Sequence, residues 1–248
     1  MKPDLFKPLA IAPAYQQIFD AIEHQIVSGG LAPGDLLPSE LDLARQFGVN
    51  RSTVREGIRL LEHSGFVARE GGKRLMITLP HYMDLASRAS RALAMQQVTF
   101  RELWETSMAL EPVAAAAAAV HIDDDGLAAL AGNIARMEQA IEDIDEVVRL
   151  DMEFHEIVAQ NAGNRALALA REPIGLLFLP AGRIILPRLK TQGRILAAHK
   201  AIYALLAARD TEGARNWMTR HMADFKRGYE RTGVDMNTPL DMASFAPV

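Results

Sequence analysis

The sequence beyond Pro80 carries helical periodicity and no convincing strand pattern over residues 83–231. Segments rich in alanine and leucine follow one another, and the breaks between them fall at HIDDDG, NAGN, REPIG, LPRLKTQG and ARDTEG. Apolar residues that recur every three or four positions give each helix one buried stripe. Because such stripes are buried by packing helix on helix, the sequence predicts an all-α bundle over 83–231 and an irregular tail over 232–248.

The first 79 residues follow a different pattern, in which three short amphipathic helices come before two short strands. The first helix is expected to run from Tyr15 to about Ser28. The side chains of Ser39 and Asn50 can cap helix N-termini, so these residues mark the starts of the second and third helices. The inward-facing residues of these two helices are predicted to be Leu43, Ala44, Phe47, Val54, Ile58 and Leu61.

Two strands, over 66–69 and 75–78, follow the third helix and are joined by the turn Glu-Gly-Gly-Lys. The order helix, helix, tight turn, helix, hairpin is that of a winged helix-turn-helix. The predicted fold class is therefore mainly α, with an N-terminal winged helix-turn-helix that carries a small β-hairpin wing and a C-terminal all-α helical bundle. The first domain is expected to cover 1–79, with a linker over 80–82 before the bundle.

The start of the third predicted helix, NRSTVRE, carries the residue types that read DNA in the major groove. Arginine can pair with guanine through two hydrogen bonds, while serine, threonine and asparagine reach phosphates or base edges. The glycines of the turn allow the wing backbone to come close to the minor groove. The alternative is a solvated helix face, and the order of elements together with the wing favours DNA binding.

The charge of the chain has to be read by region. The whole chain has a net charge of −4, whereas residues 1–79 are balanced, with nine basic and nine acidic residues. Within 51–74, six basic residues stand against three acidic ones. A local excess of positive charge on a neutral domain is compatible with DNA binding, because the placement of charge matters more than its total.

Three predicted helices of the bundle each turn an imidazole toward the core. Asp151 and His155 lie one turn apart on one apolar face, in RLDMEFHE. His199 and His221 lie on two further apolar stripes, the second of which also includes Trp217. Burying four such groups without partners would cost several kcal/mol. Three imidazoles and a carboxylate are a standard ligand set for Zn²⁺ or a similar divalent ion, and the chain has no cysteine that could replace them.

The segment LLPSELDLARQFGVNRSTVREGIRLLEHSGFVAREGGKR resembles the DNA-binding domain of GntR-family transcription regulators, and the resemblance spans residues 15–79 almost without gaps. Many relatives have an arginine that touches DNA directly after the motif Leu-Pro-Ser-Glu, where this sequence has Leu41, so that contact is expected to be missing. The resemblance implies double-stranded operator DNA as a partner. The DNA-binding residues that it implies are Asn50, Arg51, Ser52, Thr53, Arg55, Gly72 and Lys73.

The spacing Asp-x-x-x-His with two later histidines resembles the metal-binding set of the FCD effector domain of FadR-type GntR regulators, in its shorter six-helix variant. The resemblance implies a divalent metal ion, Zn²⁺ in the first place and Ni²⁺ or Mn²⁺ as alternatives, held by Asp151, His155, His199 and His221. It also implies open positions for water or a small carboxylate. An arginine that commonly meets the effector is often found where Ser107 stands, which weakens the carboxylate assignment but not the metal.

These observations predict a ligand-responsive transcription regulator, by default a repressor, that binds a pseudo-palindromic operator as a homodimer and responds to a small-molecule effector. A metal-dependent enzyme, a purely structural metal and a polar core without metal are the alternatives. No separate general acid or base stands in a recognisable motif, which argues against an enzyme. The N-terminus does not look like a signal peptide and no segment is long and apolar enough to span a membrane, so a cytoplasmic protein without a membrane partner is expected.

Overall fold

The structure is a computed structural model that describes residues 12–71, 74–78 and 82–239. Over these ranges the chain forms ten α-helices and one two-stranded antiparallel sheet. It divides between residues 81 and 82 into two compact units, and each unit is described by itself. The predicted fold class, a winged helix-turn-helix followed by an all-α bundle, is confirmed.

The first unit has the predicted order of three helices and a hairpin. The strands pair antiparallel with Val67 opposite Ile77, and each lies within one residue of the predicted position. The elements are α1 (Ala14–Val27), α2 (Glu40–Phe47), α3 (Arg51–His63), β1 (Val67–Glu70) and β2 (Arg74–Ile77).

Local side-chain chemistry fixes the ends of the two central helices. The Ser39 side chain accepts a hydrogen bond from the backbone N–H of Asp42, and the Asn50 side chain accepts one from Thr53. Gly48 ends α2 in the left-handed conformation, with φ of +67°, which a residue without Cβ adopts at little cost. The start of α2 and the turn between α2 and α3 are therefore defined by Ser39, Gly48 and Asn50, which the sequence places at the required positions.

The core of the first unit follows the predicted apolar stripes with one correction. Leu43 and Ala44 are buried, but Phe47, which was predicted to point inward, exposes 36% of its surface. Phe47 is the last residue of α2, so no further helical turn covers its ring. The buried core of this unit consists of Ile18, Ile22, Leu37, Leu43, Ala44, Val54, Ile58, Leu61, Val67, Leu75 and Ile77.

The second unit is a bundle of helices. Six of them, α5 to α10, form a continuous series, and α4 comes before that series. Their bounds are α4 (Tyr82–Met95), α5 (Phe100–His121), α6 (Asp124–Gln139), α7 (Ile144–Gln160), α8 (Arg165–Leu189), α9 (Gln192–Ala207) and α10 (Thr211–Arg231).

The alanine-rich segment of α5 brings other helices close to it. Ala115, Ala118 and Ala119 are fully buried and pack with Phe154 of α7 and Met218 of α10 in one apolar cluster. Alanine combines the highest helix propensity with a small side chain, so α5 can approach its neighbours closely without losing helical stability. The largest helix–helix contact within the unit is that between α5 and α10.

The predicted break at REPIG is wrong, because α8 runs without interruption through Pro173. A proline inside a helix costs about 3 kcal/mol, mainly through a lost hydrogen bond and a steric clash. Next to it, Ile174 and Leu177 are buried, and each buried side chain of this kind contributes about 1.5–3 kcal/mol. Burial of α8 against its neighbours therefore offsets the cost of the proline, and tertiary packing decides the helix.

The segment after α10 contributes to the core although it is irregular. Met236 is buried next to Phe100 and Tyr229. The Arg101 side chain donates a hydrogen bond of 2.7 Å to Asn237. Residues 232–239 have no helix or strand, as predicted, and the remainder of the predicted tail lies outside the described residues. In the described part of the chain, no helix has both the length and the apolar character needed to cross a membrane.

We expect Gly57→Ala to destabilise the first unit by about 1–3 kcal/mol, because a Cβ at this position would lie 3.0 Å from the Ile18 side chain and from the backbone oxygen of Tyr15. The matched control is Gly132→Ala in the middle of α6, where a Cβ meets nothing within 4 Å. That variant should gain about 0.5–1 kcal/mol. Urea unfolding followed by circular dichroism measures both, and a Gly57→Ala protein as stable as the wild type would contradict the expectation.

Candidate functional site

The N-terminal end of α3 presents the residues that the sequence analysis singled out for DNA. The Asn50 side chain accepts hydrogen bonds from the hydroxyl groups of Ser52 (2.6 Å) and Thr53 (2.8 Å), in addition to the capping bond from the Thr53 backbone. Asn50 therefore organises the first turn of α3. Ser52 is exposed and Thr53 is half-buried, so the oxygen of the Ser52 hydroxyl is available at the surface.

The two arginines of this helix are held by a residue that the sequence analysis did not select, Glu40 at the start of α2. One oxygen of its carboxylate, Oε2, lies 3.0 Å from Arg51 Nε and 3.4 Å from a terminal nitrogen of Arg55. The other oxygen lies 3.5 Å from Arg69 in the wing strand β1. The three arginines are partly or largely exposed, whereas the Glu40 side chain exposes only 13% of its surface.

The charge of Glu40 depends on these arginines. Partial burial alone would raise the pKa of this carboxyl group, but hydrogen bonds from Arg51 and Arg55 and their positive charges lower it below its ordinary value. The carboxylate is thus fixed in its charged form and orients both guanidinium groups. The signal was present in the sequence, since Glu40 directly follows the capping Ser39 in the motif Leu-Pro-Ser-Glu.

The wing cannot be described to its tip. Gly72 and Lys73, two of the predicted DNA-binding residues, lie outside the described residues. Gly71 before them has φ of +57°, a conformation that suits glycine, and Arg74 after them is exposed. Leu41, which stands where many relatives have an arginine, exposes about half of its surface on α2.

In the second unit, the four predicted metal ligands come together from three helices. Asp151 and His155 lie on α7, His199 on α9 and His221 on α10, and one nitrogen or oxygen from each lies within 4.8 Å of the others. Asp151 Oδ1 is 3.1 Å from His199 Nε2 and 3.8 Å from His221 Nε2, and the Nε2 atoms of His155 and His221 are 3.1 Å apart. These four residues are called the His/Asp cluster below.

The distances within the cluster fit a common metal ion. Ligands bound at about 2.0–2.2 Å in a tetrahedron lie about 3.3–3.6 Å from one another, which is close to the separations of the three pairs above. Asp151 Oδ1 and both ring nitrogens of His199 are buried without a hydrogen-bond partner, since the 3.1 Å contact between Asp151 and His199 lacks hydrogen-bond geometry. Buried polar atoms of this kind are costly unless something binds them, and a divalent cation would do so.

At three of its four members, the electrostatics of the cluster favour the protonation states that metal ligands need. Burial would raise the pKa of Asp151, but the neighbouring imidazoles, above all His199, outweigh it and hold the pKa well below its ordinary value. Burial lowers the pKa of His199, and burial together with the charges of His199 and His155 lowers that of His221 to about 3. Asp151 is thus charged, and His199 and His221 are neutral, as metal ligands need to be. Burial would lower the pKa of His155, but the carboxylate of Glu111 outweighs it and raises that pKa, so His155 would have to release a proton on binding an ion.

His155 is oriented by Glu111 of α5, a residue that the sequence analysis did not select. Glu111 Oε2 lies 2.8 Å from His155 Nδ1, so the Nδ1–H donates to the carboxylate and Nε2 presents its lone pair to the cluster. Burial would raise the pKa of Glu111, but the charges of His155 and Arg171 lower it to about 2. The sequence signal is an acidic residue just before a run of six alanines in a buried helix.

A second buried interaction continues this network. The guanidinium group of Arg171 on α8 donates a 2.8 Å hydrogen bond to Glu111 and lies 3.5 Å from Glu172. Ser107, where relatives often have an arginine, is buried on α5 one turn before Glu111. Among the described residues that line this side of the cluster, the only arginine is therefore Arg171 of α8, and none comes from α5.

One prediction about the other side chains near the cluster has to be corrected. Phe154 stacks flat on the His199 ring, with ring centres 3.8 Å apart, and thereby fixes the ring plane. Trp217, which was predicted to lie on the buried stripe of α10, exposes 37% of its surface. The inward positions of that helix are Ala214, Met218, His221 and Met222, so Trp217 lies at the edge of the stripe.

Each of the two units matches a known protein family. Residues 14–77 match the family described as "Bacterial regulatory proteins, gntR family". Residues 102–224, which begin in α5 and end in α10, match the FCD domain.

Two curated relatives are similar over large parts of this chain. The uncharacterized HTH-type transcriptional regulator YdhC of Bacillus subtilis is 26% identical over 88% of this chain and 92% of its own length. The HTH-type transcriptional repressor NanR of Salmonella newport is 28% identical over 64% of this chain and 62% of its own length. The match thus spans less than two thirds of the repressor.

The fold is also that of a solved structure. The Streptococcus agalactiae protein named GntR superposes with a TM-score of 0.58 at 24% identity, over 86% of this chain and 99% of that one. At this identity the likeness supports the fold and says nothing of the ligand.

We expect Glu40→Gln to weaken binding to a cognate DNA duplex about tenfold, because Arg51 and Arg55 would lose the carboxylate that orders them, and ordering one such side chain costs about 0.5–1.5 kcal/mol. The cognate duplex is obtained by selection from a random-sequence pool with the wild-type protein, and affinity is measured by fluorescence anisotropy. Affinity for a scrambled duplex should not fall.

The matched control is Glu56→Gln, which removes the same charge from an exposed ion pair with Arg59 on α3. It should leave the ratio of cognate to scrambled affinity near that of the wild type. Equal ratios for Glu40→Gln and the wild type would show that Glu40 does not position the arginines.

Proposed function

We propose that this chain, which belongs to the GntR family of bacterial regulatory proteins and carries an FCD domain, is a repressor whose DNA affinity is set by a small-molecule effector bound at a metal ion. Members of this family are DNA-binding transcription regulators and not enzymes, which bears out the expectation that the chain is a regulator. The repressor mode rests on the NanR relatives, which are named as transcriptional repressors.

The arrangement of Arg51 and Arg55 at the N-terminal end of α3 is the observation that supports the DNA-binding part of the proposal. Both side chains are exposed, and both contact the carboxylate of Glu40. A helix that enters the major groove with its N-terminal end leading would bring these guanidinium groups to base edges, where bidentate contacts with guanine distinguish sequences.

We propose that the protein binds DNA as a homodimer. A single recognition helix reads only a few base pairs, and a two-fold symmetric dimer places two such helices in successive major grooves about 34 Å apart. The operator is then pseudo-palindromic. In our proposal the second unit supplies both the dimer contacts and the effector site.

The unpartnered atoms of the His/Asp cluster support a metal ion in the second unit. Asp151, His155, His199 and His221 would hold it through one oxygen and three nitrogens. Zn²⁺ suits this ligand set best, and Ni²⁺ and Mn²⁺ tolerate it. The ion would act as a Lewis acid that binds an anionic group of an effector, while Glu111 holds His155 in the required tautomer.

A polar core without metal is the remaining alternative, and metal content separates the two. Wild-type protein purified without a histidine tag, loaded with Zn²⁺ and dialysed should retain about one ion per chain by plasma mass spectrometry. Asp151→Ala and His199→Ala should retain less than about a tenth, because each removes a ligand from a four-ligand site. The control His24→Ala changes an exposed imidazole on α1 and should retain the ion.

Absence of retained metal in the wild type, or retention in both ligand variants, would contradict the metal site. Circular dichroism of each variant shows whether the fold is kept. His199→Gln serves as a second variant of similar volume if the alanine protein does not fold.

For the DNA-binding surface, Arg51→Ala and Arg55→Ala should each cost about 1–3 kcal/mol of affinity for the selected duplex and relax its sequence preference. Lys73→Ala should weaken binding evenly across sequences and reduce the salt slope by about 1. Arg45→Ala, at an exposed ion pair with Asp42 on α2, is the control.

Analytical ultracentrifugation of the same proteins checks that the dimer is unaffected. Unchanged footprints on the selected duplex for both α3 variants would refute the assignment of α3 as the recognition helix. A monomeric wild type at micromolar concentration would refute the homodimer.

A further inference from the structure

Three hydrogen bonds in the first turn of α3 end on one atom, Oδ1 of the Asn50 side chain. The backbone N–H of Thr53 donates to it at 2.8 Å, the Thr53 hydroxyl at 2.8 Å and the Ser52 hydroxyl at 2.6 Å. Because a backbone N–H can only donate, the group that it meets is the amide oxygen and not the amide nitrogen. The orientation of the Asn50 amide is therefore determined.

This orientation also determines the direction of the two hydroxyl groups. An amide oxygen only accepts hydrogen bonds, so the hydroxyl hydrogens of Ser52 and Thr53 both point to Asn50. A hydroxyl group has one hydrogen, and once that hydrogen is used its oxygen can only accept. Ser52 and Asn50 are exposed, whereas Thr53 is half-buried. The surface of the turn thus presents the Ser52 oxygen as an acceptor and the Asn50 amide nitrogen as a donor.

An acceptor at this position distinguishes between the groups of DNA. Phosphate oxygens have no hydrogen to donate, and the same holds for O6 and N7 of guanine and for O4 of thymine. The donors in the major groove are the exocyclic amino groups, N4 of cytosine and N6 of adenine. Ser52 can therefore contact one of these amino groups without losing its bond to Asn50. A contact with phosphate would require the hydroxyl group to turn away from Asn50.

The same three bonds limit what Asn50 can recognise. An asparagine side chain recognises adenine when its oxygen accepts from N6 and its nitrogen donates to N7. Here Oδ1 already accepts three hydrogen bonds, so only the N–H groups of Nδ2 remain, and these suit acceptors such as phosphate oxygens. Asn50 is therefore excluded from paired recognition of adenine, and its effect on sequence reading passes through Ser52.

The other exposed side chains at this end of α3 are donors. Arg51 and Arg55 carry only N–H groups, which suit guanine or phosphate. The Glu40 carboxylate beside them is largely buried and is occupied by these two arginines. Residues 50–55 all belong to the described part of the chain, and among their exposed side chains the Ser52 oxygen is the acceptor left for DNA.

We infer that Ser52 is a specificity-determining residue that accepts a hydrogen bond from the exocyclic amino group of an adenine or a cytosine. Asn50 is the positioning residue that keeps the Ser52 oxygen in this acceptor state. The inference rests on the proposed function, since it takes the N-terminal end of α3 to enter the major groove. It adds one position in each half-site at which a base with an amino group is required.

The experiment uses the full-length protein and the duplex that the wild type selects from a random pool. In one half-site, each adenine in turn is replaced by purine and each cytosine by 2-pyrimidinone, so that one amino group is removed at a time. Affinity is measured by fluorescence anisotropy. At one position the wild type should lose about tenfold, because the buried Ser52 oxygen is left without a donor. Ser52→Ala should lose nothing further there.

Each replaced base also lacks one hydrogen bond to its partner base. This loss is the same for both proteins and cancels when the two ratios of affinity are compared. The matched control is Ser28→Ala, which removes the hydroxyl group of an exposed serine at the end of α1 that donates to the Gln25 backbone. Its dependence on each amino group should equal that of the wild type.

Two further variants test the role of Asn50. Ser52→Thr keeps the hydroxyl group and should keep the tenfold dependence. Asn50→Gly removes the acceptor of the Ser52 hydrogen, and glycine is tolerated at the start of a helix. The hydroxyl group is then free to donate, so the dependence on the amino group should fall to about threefold or less. Reduced stability alone would weaken binding to all duplexes equally and would leave the dependence unchanged.

The outcomes separate this inference from the proposed function. Selection of a duplex by the wild type and weaker binding by Arg51→Ala report on the proposed function alone. If both are observed but Ser52→Ala removes no dependence on an amino group, the inference is wrong and the regulator remains. An equal loss for Ser52→Ala on selected and scrambled duplexes would also overturn it, since the hydroxyl group would then donate to phosphate. If the wild type selects no duplex, both fail.

Discussion

The buried His/Asp cluster is the constraint on which the second unit depends. Four ionisable side chains from α7, α9 and α10 are turned into the apolar bundle, where Asp151 Oδ1 and both nitrogens of His199 have no hydrogen-bond partner. Leaving such groups unsatisfied costs about 1–3 kcal/mol each, comparable with the burial of a large apolar side chain. The cluster therefore constrains how α7, α9 and α10 pack against one another. The stacking of Phe154 on His199 shows that the apolar core packs directly against the cluster.

The same principle, a single carboxylate that orders several cations, recurs in both units. Glu40 forms ion pairs with Arg51, Arg55 and Arg69 at a surface. In the interior, Glu111 accepts hydrogen bonds from both Arg171 and His155. Their consequences differ because their surroundings differ. At the surface the arginines remain exposed, so their other N–H groups can contact phosphate or base edges while Glu40 holds them in place. In the core the partners are enclosed, so Glu111 fixes a tautomer.

The sequence predicted what depends on local chemistry and on periodicity, and it missed what depends on contacts between distant segments. The caps at Ser39 and Asn50, the order of elements in the head and the inward turn of Asp151, His155, His199 and His221 follow from neighbours within one or two helical turns. The continuity of α8 through Pro173, the exposure of Phe47 and Trp217, and the roles of Glu40 and Glu111 depend on which helix covers which side chain. The spacing within one segment can mark such a residue, but it does not say which distant side chains the residue contacts.

The position of Arg171 determines which positive charges near the His/Asp cluster are available to an anionic ligand. Ser107 on α5, where the resemblance to FCD domains leads us to expect an arginine, is a small buried hydroxyl. The positive charge on this side of the cluster comes from α8 and is already neutralised by Glu111 and Glu172, so it has little left to offer an anion. A cavity of about 360 Å³ also reaches Asp151 and His221, and Arg220 and Arg231 of α10, which line it, form no ion pair with a carboxylate of the described residues. With Ser107 on α5 and Arg171 already paired, the positive charge that remains available near the cluster lies on α10.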